Sequence, residues 1–212
     1  MGLVFAGDYR GTSATRGILE DMPTPFGSGS ALIDPLTILE RAAIHERMRV
    51  ADFGCGSLGH IVFPAAHRVG PKGQVYAVDI LRDALTLIER RAKTMGLKNV
   101  TTVWSDIDRY HATRIPEAAL DGALLVNNLF SSKDRTALAK EMARLTKYRG
   151  RAVIVDWKPG RTPIGPAPSA RVSPDDARQM MDIPEFRFIE SFAAGPHHYG
   201  LVFERTDAPH HV

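Results

Sequence analysis

Val50-Ala51-Asp52-Phe53-Gly54-Cys55-Gly56-Ser57-Leu58-Gly59-His60 decides how the rest of the chain is read, because it has the pattern of a buried strand running into a glycine-rich turn and then a helix. Glycines at 54, 56 and 59 permit φ values that a Cβ would forbid. They also let a ligand lie against backbone where the N–H groups of the next helix emerge. A second apolar stretch, Gln74-Val75-Tyr76-Ala77-Val78-Asp79-Ile80, follows and ends in a carboxylate about 20 residues beyond Gly59. An acid at that strand tip is placed to accept hydrogen bonds from the two hydroxyls of a ribose.

Two ligand classes share this arrangement. A dinucleotide fingerprint also expects an acid after the glycine turn. Asp52 separates the two, since it puts a carboxylate inside the strand, two residues before the first glycine, where a pyrophosphate site normally has an apolar residue. Phosphates would be repelled there, whereas a ligand carrying a sulfonium and an ammonium group would be attracted in a partly desolvated cleft.

At 212 residues, with 44% hydrophobic and 24% charged residues, the chain suits one soluble α/β domain. No run approaches the roughly 18 apolar residues of a spanning helix, so a cytoplasmic protein is expected. The single cysteine, Cys55, excludes an internal disulfide and a zinc site of several thiolates, and no metal is expected. A net charge of +3, scattered along the chain, reads as a solvated surface and does not demand a nucleic-acid partner.

Residues 1–33 are rich in Gly, Ser and Thr and read as a flexible arm or as a lid in which Met22-Pro23-Thr24-Pro25-Phe26 folds over a ligand. Asp34-Pro35 opens a helix expected to run to Ile44, with Asp34 as N-cap. After the glycine turn, helices are expected over Ile61–Val69 and Arg82–Met95, the latter ending at Gly96, and a third strand over Asn99–Trp104. Ser105-Asp106-Ile107 then lies at a C-terminal strand tip, where open α/β sheets bind ligands. There Asp106 is either an acceptor for an adenine amino group or a turn aspartate. A fourth strand is expected over Leu120–Leu129, a helix over Lys133–Lys147 and a fifth strand over Arg151–Asp156. Two more, Arg187–Phe192 and Tyr199–Glu204, are separated by too few residues for a crossover helix and must pair antiparallel. The expected fold is an α/β, Rossmann-like, doubly wound seven-stranded sheet of five parallel strands plus a C-terminal antiparallel hairpin, spanning residues 34–205, with 206–212 as a tail.

The segments Asp52-Phe53-Gly54-Cys55-Gly56, Val75–Ile80, Ser105-Asp106, Asp121–Leu129 and Ala152–Asp156 followed by Trp157-Lys158-Pro159 together resemble the class I S-adenosylmethionine (SAM) dependent methyltransferases. Within them the chain is most similar to the small ubiquinone/menaquinone C-methyltransferases and the arsenite methyltransferases. The resemblance implies SAM as cofactor and S-adenosylhomocysteine as product. It implies a cofactor site of Asp52, Gly54, Cys55, Gly56, Asp79, Ile80, Asp106, Ile107 and Asn127, in which Gly54 and Gly56 line the methionine part, Asp79 holds the ribose and Asp106 reads adenine. It also implies transfer of a methyl group to an unidentified acceptor, expected to be a small molecule; an RNA- or protein-directed enzyme and a SAM-binding module without turnover are the alternatives. The chain departs from the family pattern at its third glycine, displaced to Gly59. It lacks the cysteines of the arsenite enzymes. Asn127-Asn128-Leu129-Phe130 stands where amino-directed enzymes carry N/D-P-P-Y/F, leaving Asn127 as the candidate catalytic residue or a strand-end cap. His197-His198 reads as a turn pair or as a source of a general base.

Overall fold

The computed structural model describes residues 32–206. The lid reading of Met22–Phe26, the rest of the arm up to residue 31 and the tail beyond residue 206 lie outside the described residues. Asp34 caps the first helix, α1 (Pro35–Arg41), its Oδ1 accepting from the Leu36 amide at 3.0 Å. α1 stops short of Ile44 because Ala43 adopts φ 52°, left-handed backbone that cannot continue a helix. There follow β1 (Arg49–Phe53), α2 (Val62–Val69), β2 (Gln74–Asp79), α3 (Arg82–Thr94), β3 (Val100–Trp104), β4 (Leu120–Val126), α4 (Arg135–Leu145), β5 (Thr146–Trp157), α5 (Pro174–Met180), β6 (Phe186–Gly195) and β7 (His198–Arg205).

The strands form one seven-stranded sheet in the order β3-β2-β1-β4-β5-β7-β6. β1 to β5 are mutually parallel, and β7 lies antiparallel between β5 and β6, as the short link between the last two strands requires. Alternate residues of the central strands feed two cores, one on each face. Val50, Leu124, Val153 and Val155 pack with Ile38, Phe63 and Ile88 on one side. Ala51, Leu125 and Ile154 pack with Leu138, Met142 and Ala177 on the other. Burial on both faces is why these strands read as nearly continuous apolar runs.

Several boundaries differ from the expected ones. β4 ends at Val126 rather than Leu129, because Asn127 takes φ 58°. α4 ends at Leu145, and Lys147-Tyr148-Arg149-Gly150 joins a longer β5 across a register shift that skips from Leu120↔Thr146 to Gly122↔Arg151. The hairpin arms are longer than expected, leaving only Pro196 and His197 in the turn. α5, capped by Ser173 Oγ, was not legible in the pattern, since only Ala177 of its seven residues is buried.

One buried carboxylate holds the loop between β3 and β4. Glu141 of α4 is fully buried and accepts from the His111 and Thr113 amides, each at 2.9 Å, and from Arg144 Nε and Nη2 at 2.8 and 2.7 Å. Burial alone would raise its pKa, but the hydrogen bonds from Arg144, Thr113 and His111 outweigh it and the carboxyl titrates below its ordinary value. A depressed acid stabilises the fold fully above its unfolded pKa, and the contribution is lost as pH falls through the folded one. Glu141→Ala, which leaves Arg144 without its buried partner, is expected to cost about 3 kcal/mol of unfolding free energy at pH 7, with a shrinking deficit on acidification. Urea titration of both proteins at pH 7 and at pH 3 measures this; equal midpoints at pH 7 would remove the clamp.

Candidate functional site

The parallel strands end on one edge of the sheet, and the glycine turn after β1 lies at its centre. The Gly54 and Cys55 amides both donate to the Val78 carbonyl of β2, at 2.8 and 3.0 Å, folding the turn against the neighbouring strand. The glycines serve different needs. A Cβ on Gly54 would stand 2.3 Å from the Asn128 side chain, and one on Gly59 would stand 2.6 Å from Ile88 and Phe63. Gly59 is thus a core-packing residue. Gly56 has φ 62° and open space where a side chain would be, so a ligand can approach its backbone directly.

Asp79, at the tip of β2, closes the turn from the other side. Its Oδ2 accepts from the Gly56 amide and its Oδ1 from the Leu81 amide, both at 2.9 Å. Each carboxylate oxygen has a second lone pair, so Asp79 retains acceptor capacity for a ligand hydroxyl. Asp52 lies buried one strand away. Burial first, and the charge of Asp79 second, push its pKa up to about 7. The two carboxyls together disfavour a second negative charge and reward a bound cation, which fits the sulfonium- and ammonium-bearing ligand inferred from Asp52. Cys55 is buried beside them, and burial followed by the charges of Asp52 and Asp79 raises its pKa well above that of a free thiol, so it is an unreactive wall of the site.

Ile80, next to Asp79 in the chain, is 53% exposed, and beyond it an open groove is lined by Gly56, Ser57, Leu81, Arg82, Asp83 and Leu87. Asp106 and Ile107 follow β3 on the same edge. Asp106 Oδ1 accepts from the Asp108 amide at 3.1 Å, a turn bond that does not exclude a ligand contact, and half-buried Ile107 packs on the core beneath. Asn127 sits at the tip of β4, its amide donating to Val155 O at 2.8 Å and its Oδ1 buried without a hydrogen-bond partner. The sheet therefore brings Asp52, Gly54, Cys55, Gly56, Asp79, Ile80, Asp106, Ile107 and Asn127 to one edge.

Three side chains brace this edge; Asn128 and Asp108 carried no role of their own in the sequence reading, and Asp156 entered it only as the tip of the fifth strand. Asn128 Nδ2 lies 3.1, 3.0 and 2.8 Å from the carbonyl oxygens of Phe53, Gly54 and Val126. Asp156, fully buried in β5, accepts from the Leu129 and Trp157 amides at 2.9 and 2.7 Å. Asp108 accepts from Ser132 Oγ and the Lys133 amide, each at 2.7 Å, tying the β3 loop to the β4 loop. Nothing in their spacing signals these bonds, which join segments distant in sequence. Beyond β5, Arg171 donates to the Lys158, Ile164 and Pro166 carbonyls and lies 5.3 Å from the Trp157 ring, strapping residues 158–171 over the strand tip.

The histidine pair divides. His197 is in the hairpin turn, as read, but His198 begins β7, is fully buried and packs on Trp157 with ring centroids 4.1 Å apart. Burial, then the charges of His197, Lys158 and Arg171, lower its pKa to about 4. It is a neutral core ring with no exposed surface, and the general-base reading has no support from its position.

Residues 44–182 match the family model described as a methyltransferase domain. Among curated proteins, the chain is 29% identical over 118 residues to the protein-L-isoaspartate O-methyltransferase of Ignicoccus hospitalis, covering 48% of this chain and 56% of that one. It is 27% identical over 119 residues to the demethylmenaquinone methyltransferase of Geobacillus kaustophilus, covering 56% and 49%. The chain thus spans about half the length of these relatives. A SAM-dependent methyltransferase structure from Aquifex aeolicus superposes with a TM-score of 0.77 at 22% identity, over 92% of this chain and 98% of that one, a likeness of fold.

Asp52 generates a prediction for the free protein. Between the ordinary carboxyl pKa and about 7, the folded state holds a proton that the unfolded chain has released, so stability falls as pH rises through that window. Asp52→Asn removes the penalty. Its melting temperature is expected to exceed that of the unaltered protein by a few degrees at pH 8 and to match it near pH 4, and calorimetry across that range checks the sign. A variant that melts lower at pH 8 would show that the Asp52 charge is compensated.

Proposed function

The chain belongs to the methyltransferase-domain family, the class I SAM-dependent methyltransferases, and on that premise we propose that it transfers a methyl group from SAM to a small-molecule acceptor. The observation that carries this reading is the pairing of buried Asp52 with Asp79 around an open Gly56, a site suited to a cation with a ribose attached. In it, Asp79 accepts from the ribose hydroxyls, the Gly54–Gly56 backbone lies along the methionine portion, and Asp106 with Ile107 borders the adenine. The ionised Asp52 favours the positive end of the cofactor.

SAM supplies an activated methyl group on a sulfonium, so the chemistry asks the protein for alignment and exclusion of water more than for acid–base work. Asn127, at the tip of β4 with an unpartnered side-chain oxygen, is suited to orient the acceptor through a hydrogen bond. Residues 158–171, tied together by Arg171, follow β5, the strand next to the one that carries Asn127, and in this reading they cover the acceptor side, which favours a small molecule over a polymer. The relatives' names are divided on this point, one referring to protein-L-isoaspartate and the other to demethylmenaquinone. We place the enzyme in the cytoplasm; among the described residues no helix is long and apolar enough to cross a membrane.

Calorimetric titration with SAM and S-adenosylhomocysteine tests the premise. Both are expected to bind, and Asp79→Ala to weaken both by more than about tenfold, as loss of charge-assisted hydrogen bonds should. Because only SAM carries the sulfonium charge and Asp52 ionises around pH 7, preference for SAM over its product should grow as pH rises from 6 to 8. A preference flat across that range in the unaltered protein would detach Asp52 from the sulfonium.

The acceptor class has its own test. Incubation with methyl-labelled SAM and cell extract, followed by size fractionation, should put the label in the small-molecule fraction. Label retained on RNA or protein would favour the polymer-directed alternative, and binding without any transfer would favour a SAM-binding module.

A further inference from the structure

We propose that Asn128 is a positioning residue that locks the cofactor turn to the acceptor-side loop, so that the two halves of the site move as one body. The inference rests on the SAM-binding reading above but concerns a residue to which that reading gives no part. Asn128 belongs to the loop after β4, yet its Nδ2 lies within hydrogen-bond distance of Phe53 O and Gly54 O in the turn after β1, as well as Val126 O at the end of its own strand. The two N–H donors of one amide group are thereby shared among three carbonyls at the ends of β1 and β4. The contact is close enough that Gly54 cannot carry a Cβ, which would lie 2.3 Å from the Asn128 side-chain oxygen. Glycine at 54 is therefore required from the acceptor side as much as by its own φ of 72°.

The acceptor-side loop is held rigidly enough for such a link to transmit position. Asn127 is fixed in left-handed backbone by its bond to Val155 O, and Leu129 is fixed by the buried Asp156 carboxylate. Leu129 O in turn accepts from Arg135 Nε and Nη2 at 3.3 and 3.1 Å. Asn128 is the residue between these anchors, so displacing its side chain unlinks the glycine turn from the loop while Val78 O and Asp79 still hold the turn and Asp156 still holds the loop. The cofactor contacts the turn, and Asn127 is the residue offered to the acceptor. The Asn128 amide thus sets the distance between donor and acceptor positions without touching either molecule.

The test compares the unaltered protein, Asn128→Ala and Asn128→Asp by titration with S-adenosylhomocysteine at pH 6 and pH 8.5. Asn128→Ala is expected to bind about tenfold or more weakly at both pH values. Asn128→Asp is expected to bind still more weakly than Asn128→Ala at pH 8.5, where a carboxylate faces three carbonyls, and to lose part of that extra deficit at pH 6, since those carbonyls favour the protonated acid, which regains a donor. Asp52 and Asp79 beyond the turn, the Cys55 thiol, and Asp156 and Arg135 behind Leu129 are common to all three proteins. Their titration is read in the unaltered protein and divided out. A second measurement does not depend on the variants folding: in the unaltered protein, hydrogen exchange at residues 54–56 and 127–129 should slow together when S-adenosylhomocysteine binds. Binding by the unaltered protein with an Asn128→Ala affinity within threefold of it, or protection confined to residues 54–56, overturns the proposal and leaves the cofactor reading standing. Failure of the unaltered protein to bind at all overturns both.

Discussion

Five parallel strands ending on one edge leave a row of backbone amides and carbonyls that the ladder no longer pairs, and buried groups of that kind must find partners. In this protein the partners are short polar side chains from neighbouring strands and loops. The Asp79 carboxylate takes the Gly56 and Leu81 amides, Asp156 takes those of Leu129 and Trp157, and the two Asn128 Nδ2 hydrogens are shared among the Phe53, Gly54 and Val126 carbonyls. Each bond satisfies a strand end and fixes a loop at once. At this edge the same side chains do both.

That arrangement concentrates negative charge at the edge proposed to hold the cofactor. Asp52 and Asp79 are close enough, and Asp52 buried enough, that the free protein keeps Asp52 partly protonated near neutral pH. That cost is electrostatic, and a cation held between the two carboxyls, as in the proposed cofactor site, would offset it. Glu141 shows the opposite balance. It is equally removed from water, but Arg144 and two backbone amides stabilise its charge, and it serves the fold alone.

The hairpin of β6 and β7 contributes to the site by closure more than by chemistry. Its turn comes up on the same edge as the tips of the parallel strands, where Lys158 Nζ donates to the Gly195 and Pro196 carbonyls. Trp157, with His198 against its ring and Arg171 alongside, anchors the segment that follows β5. An imidazole used this way is packing material, and its histidine identity is misleading when read without its surroundings.

The amino-acid sequence by itself determined the alternation of strands and helices, the parallel sheet with its antiparallel ending, and the glycine turn with Asp52 and Asp79, because these follow from local periodicity, backbone permissiveness and charge within short stretches. It also carried enough family pattern to indicate the cofactor class. Tertiary structure alone decided where β4 stops, how far β5 extends, that Gly59 packs the core, and that His198 is buried, since each depends on which residue of another strand lies opposite. It alone brought Asn128 to Gly54 and Asp156 to Leu129, contacts between segments 74 and 27 residues apart. Side-chain hydrogen bonds across a sheet edge leave no period and no fixed spacing in the sequence, which is the physical reason that the braces of this site became visible only once the strands were side by side.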